Sequence, residues 1–120
     1  MKKKKGKFDK GKLAVTVPEV ARKLHPILLE KLDKAEKISE ESKFNFVEDF
    51  GGKYGIITSG VSYNYVKEAV EDLNLKCKIF KIGMSYPLPI KKLKKFLDEC
   101  EKVIVIEELE PFIEEQIRNI

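Results

Sequence analysis

The sequence has no tryptophan, two cysteines, one histidine and no apolar run of the length that a membrane span requires, which is about 20 residues. No apolar segment follows the lysine-rich start, so that start does not resemble a secretory signal peptide. Charged residues make up 37% of the chain and hydrophobic residues 42%. This composition is typical of a soluble globular protein, and we expect a cytoplasmic one.

Cys77 and Cys100 are far apart, and neither belongs to a Cys-x-x-Cys pair or has a histidine nearby. Structural zinc sites and cubane iron–sulfur sites need about four ligands in local pairs. The chain alone therefore cannot build either site. Two reduced, buried thiols are favoured over a disulfide, in line with a reducing compartment.

The positive net charge is concentrated at the start of the chain. Residues 1–12 contain seven lysines and one acid, whereas the remaining residues are close to neutral. A run of like charges is typical of a disordered, solubilising terminus. A basic tail that binds an anionic partner is the alternative, since lysines bind phosphates by releasing counterions.

A length of 120 residues suits one domain. Residues 13–53 are predicted to lead into it. Residues 13–17 are short, apolar and β-branched, which indicates a strand. Thr16 and Glu19 have capping-box spacing, with Pro18 in the first turn, so a short helix through Leu24 is predicted.

Pro26 is expected to break that helix or to begin the next one. In the next helix, apolar residues recur at helical spacing at Leu28, Leu29, Leu32, Ala35 and Ile38. Residues 39–52 are polar and end in glycine, and they are predicted to form a connector.

Residues 54–120 alternate between short apolar runs and amphipathic segments, which is the pattern of βαβ units. The strands are predicted at 54–58, 77–82 and 103–106, and the helices at 61–73, 90–97 and from Pro111 onward, with Asn74 as a helix stop. The predicted fold is a three-layer α/β/α domain with a mostly parallel sheet. Because such sheets usually have five or six strands, we expect this one to continue beyond Ile120.

Ligands of open α/β sheets bind beyond the carboxyl ends of the strands. Here those ends carry Ser59-Gly60, residues 83–86, and Glu107-Glu108. Ser59 or Ser62 is expected to cap the following helix, and anion binding there is the alternative. Adjacent strand residues point to opposite faces, so Glu107 and Glu108 make a poor acid–base pair, and we expect solvent-facing carboxylates.

Two further groups of side chains are interpreted as surface features. His25 has no carboxylate or nucleophile beside it, and a position at a helix start or on the surface is favoured over catalysis. The lysines between 91 and 95 are expected to form a solvated helix face. No nucleophile, base and orienting group occur together.

Four phrases occur in order along the chain: VPEVARKLH (17–25), GIITSGVSYNYV (55–66), KIGMSYPLP (81–89) and VIEELEPF (105–112). Together they resemble the large (alpha) subunit of indolepyruvate:ferredoxin oxidoreductase, over roughly residues 15–120. The matching region resembles that subunit's middle domain, which is similar to the carboxyl-terminal domain of transketolase.

The resemblance implies an enzyme that oxidatively decarboxylates arylpyruvates to acyl-coenzyme A. It further implies thiamine diphosphate, magnesium and 4Fe–4S clusters as cofactors, and a beta subunit and ferredoxin as partners. The family's pyrimidine-binding domain would precede residue 13, and its Gly-Asp-Gly…Asn motif and cysteine clusters would follow Ile120. No catalytic, cofactor-binding or metal-binding residue of the family therefore has a counterpart here. We expect a non-catalytic piece of the enzyme; the alternative is a free-standing α/β binding module with a basic tail.

Overall fold

The computed structural model describes residues 17–120 of a chain that divides into two compact units, Met1–Asp33 and Lys34–Ile120. The described elements are α1 (Pro18–Glu41), β1 (Phe46–Asp49), β2 (Tyr54–Ser59), α2 (Ser62–Asp72), β3 (Cys77–Ile82), α3 (Ile90–Asp98), β4 (Lys102–Ile106) and α4 (Phe112–Ile117). None of these helices is long and apolar enough to cross a membrane.

Helix α1 differs from the prediction because it continues through Pro26. The prediction of a break at this proline, or of a new helix starting there, was wrong. Proline removes one backbone hydrogen bond, but the long run of leucine, lysine and glutamate that follows it favours the helix. Pro18 lies in the first turn, as predicted. The predicted strand at 13–17 and the capping residue Thr16 lie outside the described residues, except Val17, which is not in a strand.

Within the first unit, the apolar side chains of α1 are largely exposed: Leu28 and Leu29 are about half accessible to solvent. Within the second unit, Ile38 is also exposed, whereas Ser39 is completely buried. The predicted apolar face of this helix therefore does not form one buried stripe. The neighbouring Ser39 is the buried residue at this end of the helix, and its hydroxyl takes part in a polar network that is described below.

The segment predicted as a connector contains strand β1, so that prediction was also wrong. β1 pairs antiparallel with β3, placing Val47 opposite Phe80. The strand is only four residues long and lies at the edge of the sheet. Short edge strands depend mainly on pairing with a neighbouring strand rather than on a strong apolar pattern. For this reason the sequence pattern did not predict β1.

The rest of the fold confirms the prediction of a mostly parallel α/β architecture. The sheet order is β1-β3-β2-β4, with β2 parallel to both β3 and β4. Asn74 ends the α2 region with a positive φ of 47°, a conformation that asparagine tolerates well. Pro111 immediately precedes α4.

Helices cover the sheet on both faces. On one face, Val66 and Val70 of α2 pack with Cys77 and Ile79 of β3. On the other face, a larger cluster joins strand residues to α3 and α4: Ile57, Phe80, Ile82, Leu88, Leu93, Phe96 and Ile113. We call these the α2 face and the α3/α4 face. The helices on these two faces form the outer layers of the three-layer fold.

Gly55 allows the close approach of α3 to the sheet. A Cβ atom at this position would lie 2.8 Å from the Cys100 sulfur and 2.9 Å from Cε1 of Phe96. Distances below 3 Å between such atoms require one neighbour to move. The missing side chain at Gly55 therefore sets the spacing between these two layers.

Asn45 connects three segments of the fold through a nearly buried side chain, 3% exposed. Its Nδ2 donates to the carbonyl oxygen of Ser39 at 2.8 Å and to the Ser39 hydroxyl at 3.2 Å. Its Oδ1 accepts from the backbone N–H groups of Gly83 at 2.8 Å and Met84 at 3.0 Å. The end of α1, the start of β1 and the loop after β3 are thereby held together.

We expect Asn45→Ala to lower the free energy of unfolding by about 3 kcal/mol, because two loop N–H groups and a carbonyl lose their partner in a buried place. Urea denaturation of the purified chain measures this. Asn64→Ala, which changes an exposed asparagine on α2, is the matched control and should stay within about 0.5 kcal/mol of the unmodified chain. Equal effects of the two substitutions would contradict the role given to Asn45.

Candidate functional site at the carboxyl ends of the strands

The loops that follow the parallel strands leave the sheet in different directions. After β2 the chain enters α2 on one face, whereas after β3 and β4 it enters α3 and α4 on the other face. A crevice forms beyond strand ends where neighbouring loops diverge in this way. The candidate contact site therefore lies around the end of β2, one of the three strand ends considered in the sequence analysis.

At the end of β2, the predicted helix cap is absent. Val61 occupies the N-cap position of α2, and no side chain caps the helix there. Ser62 is buried at 6% exposure instead of capping, and Thr58 is completely buried. The prediction of a cap from Ser59 or Ser62 was wrong because the turn places Val61, not a serine, before the first helical residue.

The loop after β3 is positioned by Asn45 and by a tight backbone contact. A Cβ atom at Gly83 would lie 2.6 Å from both Cβ and the carbonyl oxygen of Phe44. The peptide bond between Tyr86 and Pro87 is cis, and the Tyr86 side chain is exposed. The loop therefore presents an exposed aromatic ring, and Asn45 holds its start at Gly83 and Met84.

Helix α3 begins with a cap from a distant residue. Glu40 of α1 accepts hydrogen bonds from the backbone N–H groups of Lys91 at 2.7 Å and Lys92 at 3.3 Å. Lys92 in turn donates to the carbonyl oxygens of Ser42 at 2.9 Å and Asn45 at 3.2 Å. The predicted solvated lysine face is thus correct for the exposed Lys91, Lys94 and Lys95 but not for Lys92.

Beyond β4, the two glutamates have different environments. Glu107 accepts hydrogen bonds from the backbone N–H groups of Ile113 at 2.8 Å and Glu114 at 3.0 Å, and so caps α4. Glu108 is exposed, as predicted for both residues. The solvent-facing role predicted for Glu107 was wrong, since its carboxylate is needed by the orphan N–H groups of the helix start.

The three strand ends enclose a shallow depression of about 310 Å³. Its lining includes Ser59, Gly60, Ser85, Glu107, Glu108 and Phe112. Neither serine has a histidine or another base as a hydrogen-bond partner among the described residues, and His25 lies in α1, exposed. The depression offers an acidic and partly apolar contact surface rather than a nucleophile with its base.

Two ion pairs link helices to the sheet away from this depression. Lys67 of α2 donates to Glu48 of β1 at 2.9 Å, and this hydrogen bond raises the Lys67 pKa. Lys78 of β3 donates to Glu99 at 2.9 Å. Both pairs lie beside apolar packing, and they serve to fix the helices rather than to perform chemistry.

The two cysteines are free thiols on opposite faces of the sheet. Cys77 belongs to the α2 cluster, whereas Cys100 packs against the α3/α4 cluster. Burial raises the pKa of both thiols, which disfavours the reactive thiolate. Cys77 is buried, as predicted, whereas Cys100 is only partly buried.

A profile of the indolepyruvate oxidoreductase domain matches residues 44–120. Indolepyruvate oxidoreductase subunit IorA of Archaeoglobus fulgidus is 46% identical over 104 residues, which is 87% of this chain and 17% of that subunit. The same subunit of Thermococcus kodakarensis is 46% identical over 121 residues, or 98% of this chain and 19% of the subunit. The chain belongs to the indolepyruvate oxidoreductase family and spans less than a fifth of the length of these relatives.

A solved structure supports the same assignment. The 2-oxoglutarate:ferredoxin oxidoreductase from Magnetococcus marinus aligns with a TM-score of 0.66 and 25% sequence identity. The alignment covers 88% of this chain and 19% of that chain. The fold described here is thus similar to one portion of a 2-oxoacid:ferredoxin oxidoreductase polypeptide.

The described residues include no set of side chains suited to a metal ion or an iron–sulfur cluster. Across residues 17–120, no three or more histidine, cysteine, aspartate or glutamate side chains converge as a metal site would require. Cys77 and Cys100 are separated by the sheet and cannot share a cluster. No step of the chemistry is therefore assigned to this part of the chain.

We expect Glu107→Ala to lower the free energy of unfolding by about 1 kcal/mol, because the start of α4 loses both of its capping bonds. Thermal or urea unfolding measures the change. Glu108→Ala, at the neighbouring exposed glutamate, is the control and should be nearly neutral. A larger loss for Glu108→Ala than for Glu107→Ala would contradict the cap.

We expect the contribution of Glu99 to stability to depend on pH. The hydrogen bond and charge of Lys78 lower the pKa of Glu99, and the same bond raises the pKa of Lys78. The contribution of a carboxyl group with a lowered pKa is present above its unfolded-state pKa and is lost as the pH falls through its folded-state pKa.

Unfolding of the unmodified chain and of Glu99→Gln should therefore differ at pH 7, and the difference should shrink below about pH 4. Denaturation curves at a series of pH values measure it. Glu68→Gln, at an exposed glutamate of α2, is the control. A difference for Glu99→Gln that grows on acidification would contradict the ion pair.

Proposed function

We propose that this chain is a non-catalytic structural module of a thiamine-diphosphate-dependent indolepyruvate (2-oxoacid):ferredoxin oxidoreductase. The observation that carries the proposal is the 46% identity to the T. kodakarensis subunit over nearly the whole chain. The depression at the strand ends is consistent with it, because the exposed Phe112 and the acidic loop around Glu108 suit a contact with neighbouring polypeptide.

In this proposal the complete enzyme oxidatively decarboxylates arylpyruvates to acyl-coenzyme A in the cytoplasm. Thiamine diphosphate with magnesium and the 4Fe–4S clusters are bound by polypeptide other than this chain. The partners are the remaining portion of the alpha subunit, the beta subunit, and ferredoxin as electron acceptor. The module supplies packing surfaces that hold the neighbouring domains in place.

A chimera tests the proposal: the segment of the T. kodakarensis subunit that matches this chain is replaced by this chain, and the chimera is produced with its partner subunit. We expect indolepyruvate-dependent and coenzyme A-dependent reduction of ferredoxin by the chimera. A subunit carrying a flexible linker in place of the segment is the control and should be inactive, because its domains lose their support.

The isolated chain should show no turnover. Reduction of ferredoxin by the isolated chain would contradict a non-catalytic role. Tight, salt-dependent binding of the isolated chain to RNA or DNA, abolished by removing residues 1–12, would instead favour a free-standing module with a basic tail.

A further inference from the structure

On the α2 face of the sheet, α2 contacts β2, β3 and β4 but leaves part of β4 exposed. Lys67 of α2 pairs with Glu48 of β1, so the polar flank of this helix is directed toward the β1 edge. At the other edge, β4 alternates between half-buried residues on the α3/α4 face and exposed residues on the α2 face. Ile104 is 63% exposed there, although a strand of this fold is normally covered on both faces.

The uncovered surface forms an apolar groove with a volume of about 840 Å³. Its apolar lining comes from β2, the loop before β3, and β4: Tyr54, Ile56, Leu75 and Ile104. Tyr54 is 55% exposed and Leu75 43% exposed. We call this surface the β4 groove. Among residues 17–120, β4 has a strand partner on one side only. Contiguous apolar surface beside such an edge marks an interaction site or an aggregation hazard.

Two lysines lie in the β4 groove at the amino ends of the strands, Lys76 before β3 and Lys102 at the start of β4. Neither forms an ion pair with any carboxylate among residues 17–120. A molecule that filled the groove would therefore place an apolar surface on the strands and negative charge beside these two cations.

A helix matches both requirements. In a layered α/β sheet the covering element is a helix that runs antiparallel to the parallel strands. Its carboxyl end, which carries the negative end of the helix dipole, then lies at the amino ends of the strands, beside Lys76 and Lys102. The five residues of β4 span about 17 Å, which corresponds to about 11 residues of helix.

We propose that the β4 groove receives an amphipathic helix from the remaining polypeptide of the oxidoreductase alpha subunit, with its negative carboxyl end at Lys76 and Lys102. This inference rests on the proposed function. The relatives are about five times longer than this chain, and the Magnetococcus structure shows the same fold within a much longer polypeptide.

The charges favour this occupant over two others. A second copy of the chain, placed face to face across a twofold axis parallel to the strands, would bring equivalent lysines toward each other, and the ultracentrifugation below tests for a copy in the reversed orientation. Residues 1–12 are strongly basic and carry the same sign as the groove. Neither offers the negative charge that the groove lacks.

Chemical labelling in two contexts tests the proposal. Ile104→Cys is introduced into the isolated chain and into the T. kodakarensis chimera, and its alkylation rate by a maleimide is followed by peptide mass spectrometry. We expect rapid alkylation in the isolated chain and a rate at least about tenfold lower in the chimera, because the helix covers the side chain. Val47→Cys on β1, the opposite edge strand, is the matched control and should change less.

Substitutions test the stated chemistry of the occupant. Leu75→Asp and the double variant Lys76→Glu with Lys102→Glu should each restore alkylation of Ile104→Cys in the chimera toward the rate of the isolated chain. Leu109→Asp, at a fully exposed loop residue outside the groove, is the control for the former and Lys94→Glu for the latter. Melting temperatures of the isolated variants show whether each one still folds.

The outcomes separate this proposal from the proposed function. An active chimera in which Ile104→Cys reacts as fast as in the isolated chain overturns the groove assignment and leaves the function standing. Slow alkylation in the isolated chain, accompanied by a dimer in analytical ultracentrifugation, assigns the groove to a second copy and also overturns it. A chimera with neither turnover nor protection overturns both.

Discussion

The fold depends on a single buried amide. The Asn45 side chain forms hydrogen bonds with the carbonyl oxygen of Ser39 at the end of α1 and with the backbone N–H of Gly83 in the loop after β3. Because all four of its hydrogen bonds go to Ser39, Gly83 or Met84, each of the three segments limits the movement of the others. Glu40, next to the buried Ser39, caps the start of α3, so the same end of α1 is also joined to α3.

The parallel part of the sheet was predictable because its signals are local. Apolar runs with turn residues at their ends predicted β2, β3 and β4 to within a residue, and Asn74 marked the end of the α2 region. The four phrases predicted the family, and the domain profile and the relatives confirm it. In these segments, propensity, periodicity and tertiary packing all favour the same structure.

The remainder was hidden because it depends on contacts between distant residues. β1 forms from a polar stretch because β3 offers it a partner, and Glu107 caps a helix that begins several residues later. No composition rule identifies Asn45 as buried, since asparagine is usually exposed. The sequence offered one indication of the burial of Asn45, which is its position between an amphipathic helix and the apolar Phe46-Val47 pair. That position explains the burial only once the structure shows the Gly83 loop donating to its side chain.

The exposed edge at β4 also matters during folding, before the rest of the structure has formed around it. Ile104 and Tyr54 are exposed beside the outer edge of β4, which pairs with no strand among residues 17–120, and such an edge can pair with strands of other partly folded chains. Under the proposal for the β4 groove, the time for which this surface stays exposed is set by how soon the covering helix folds onto it.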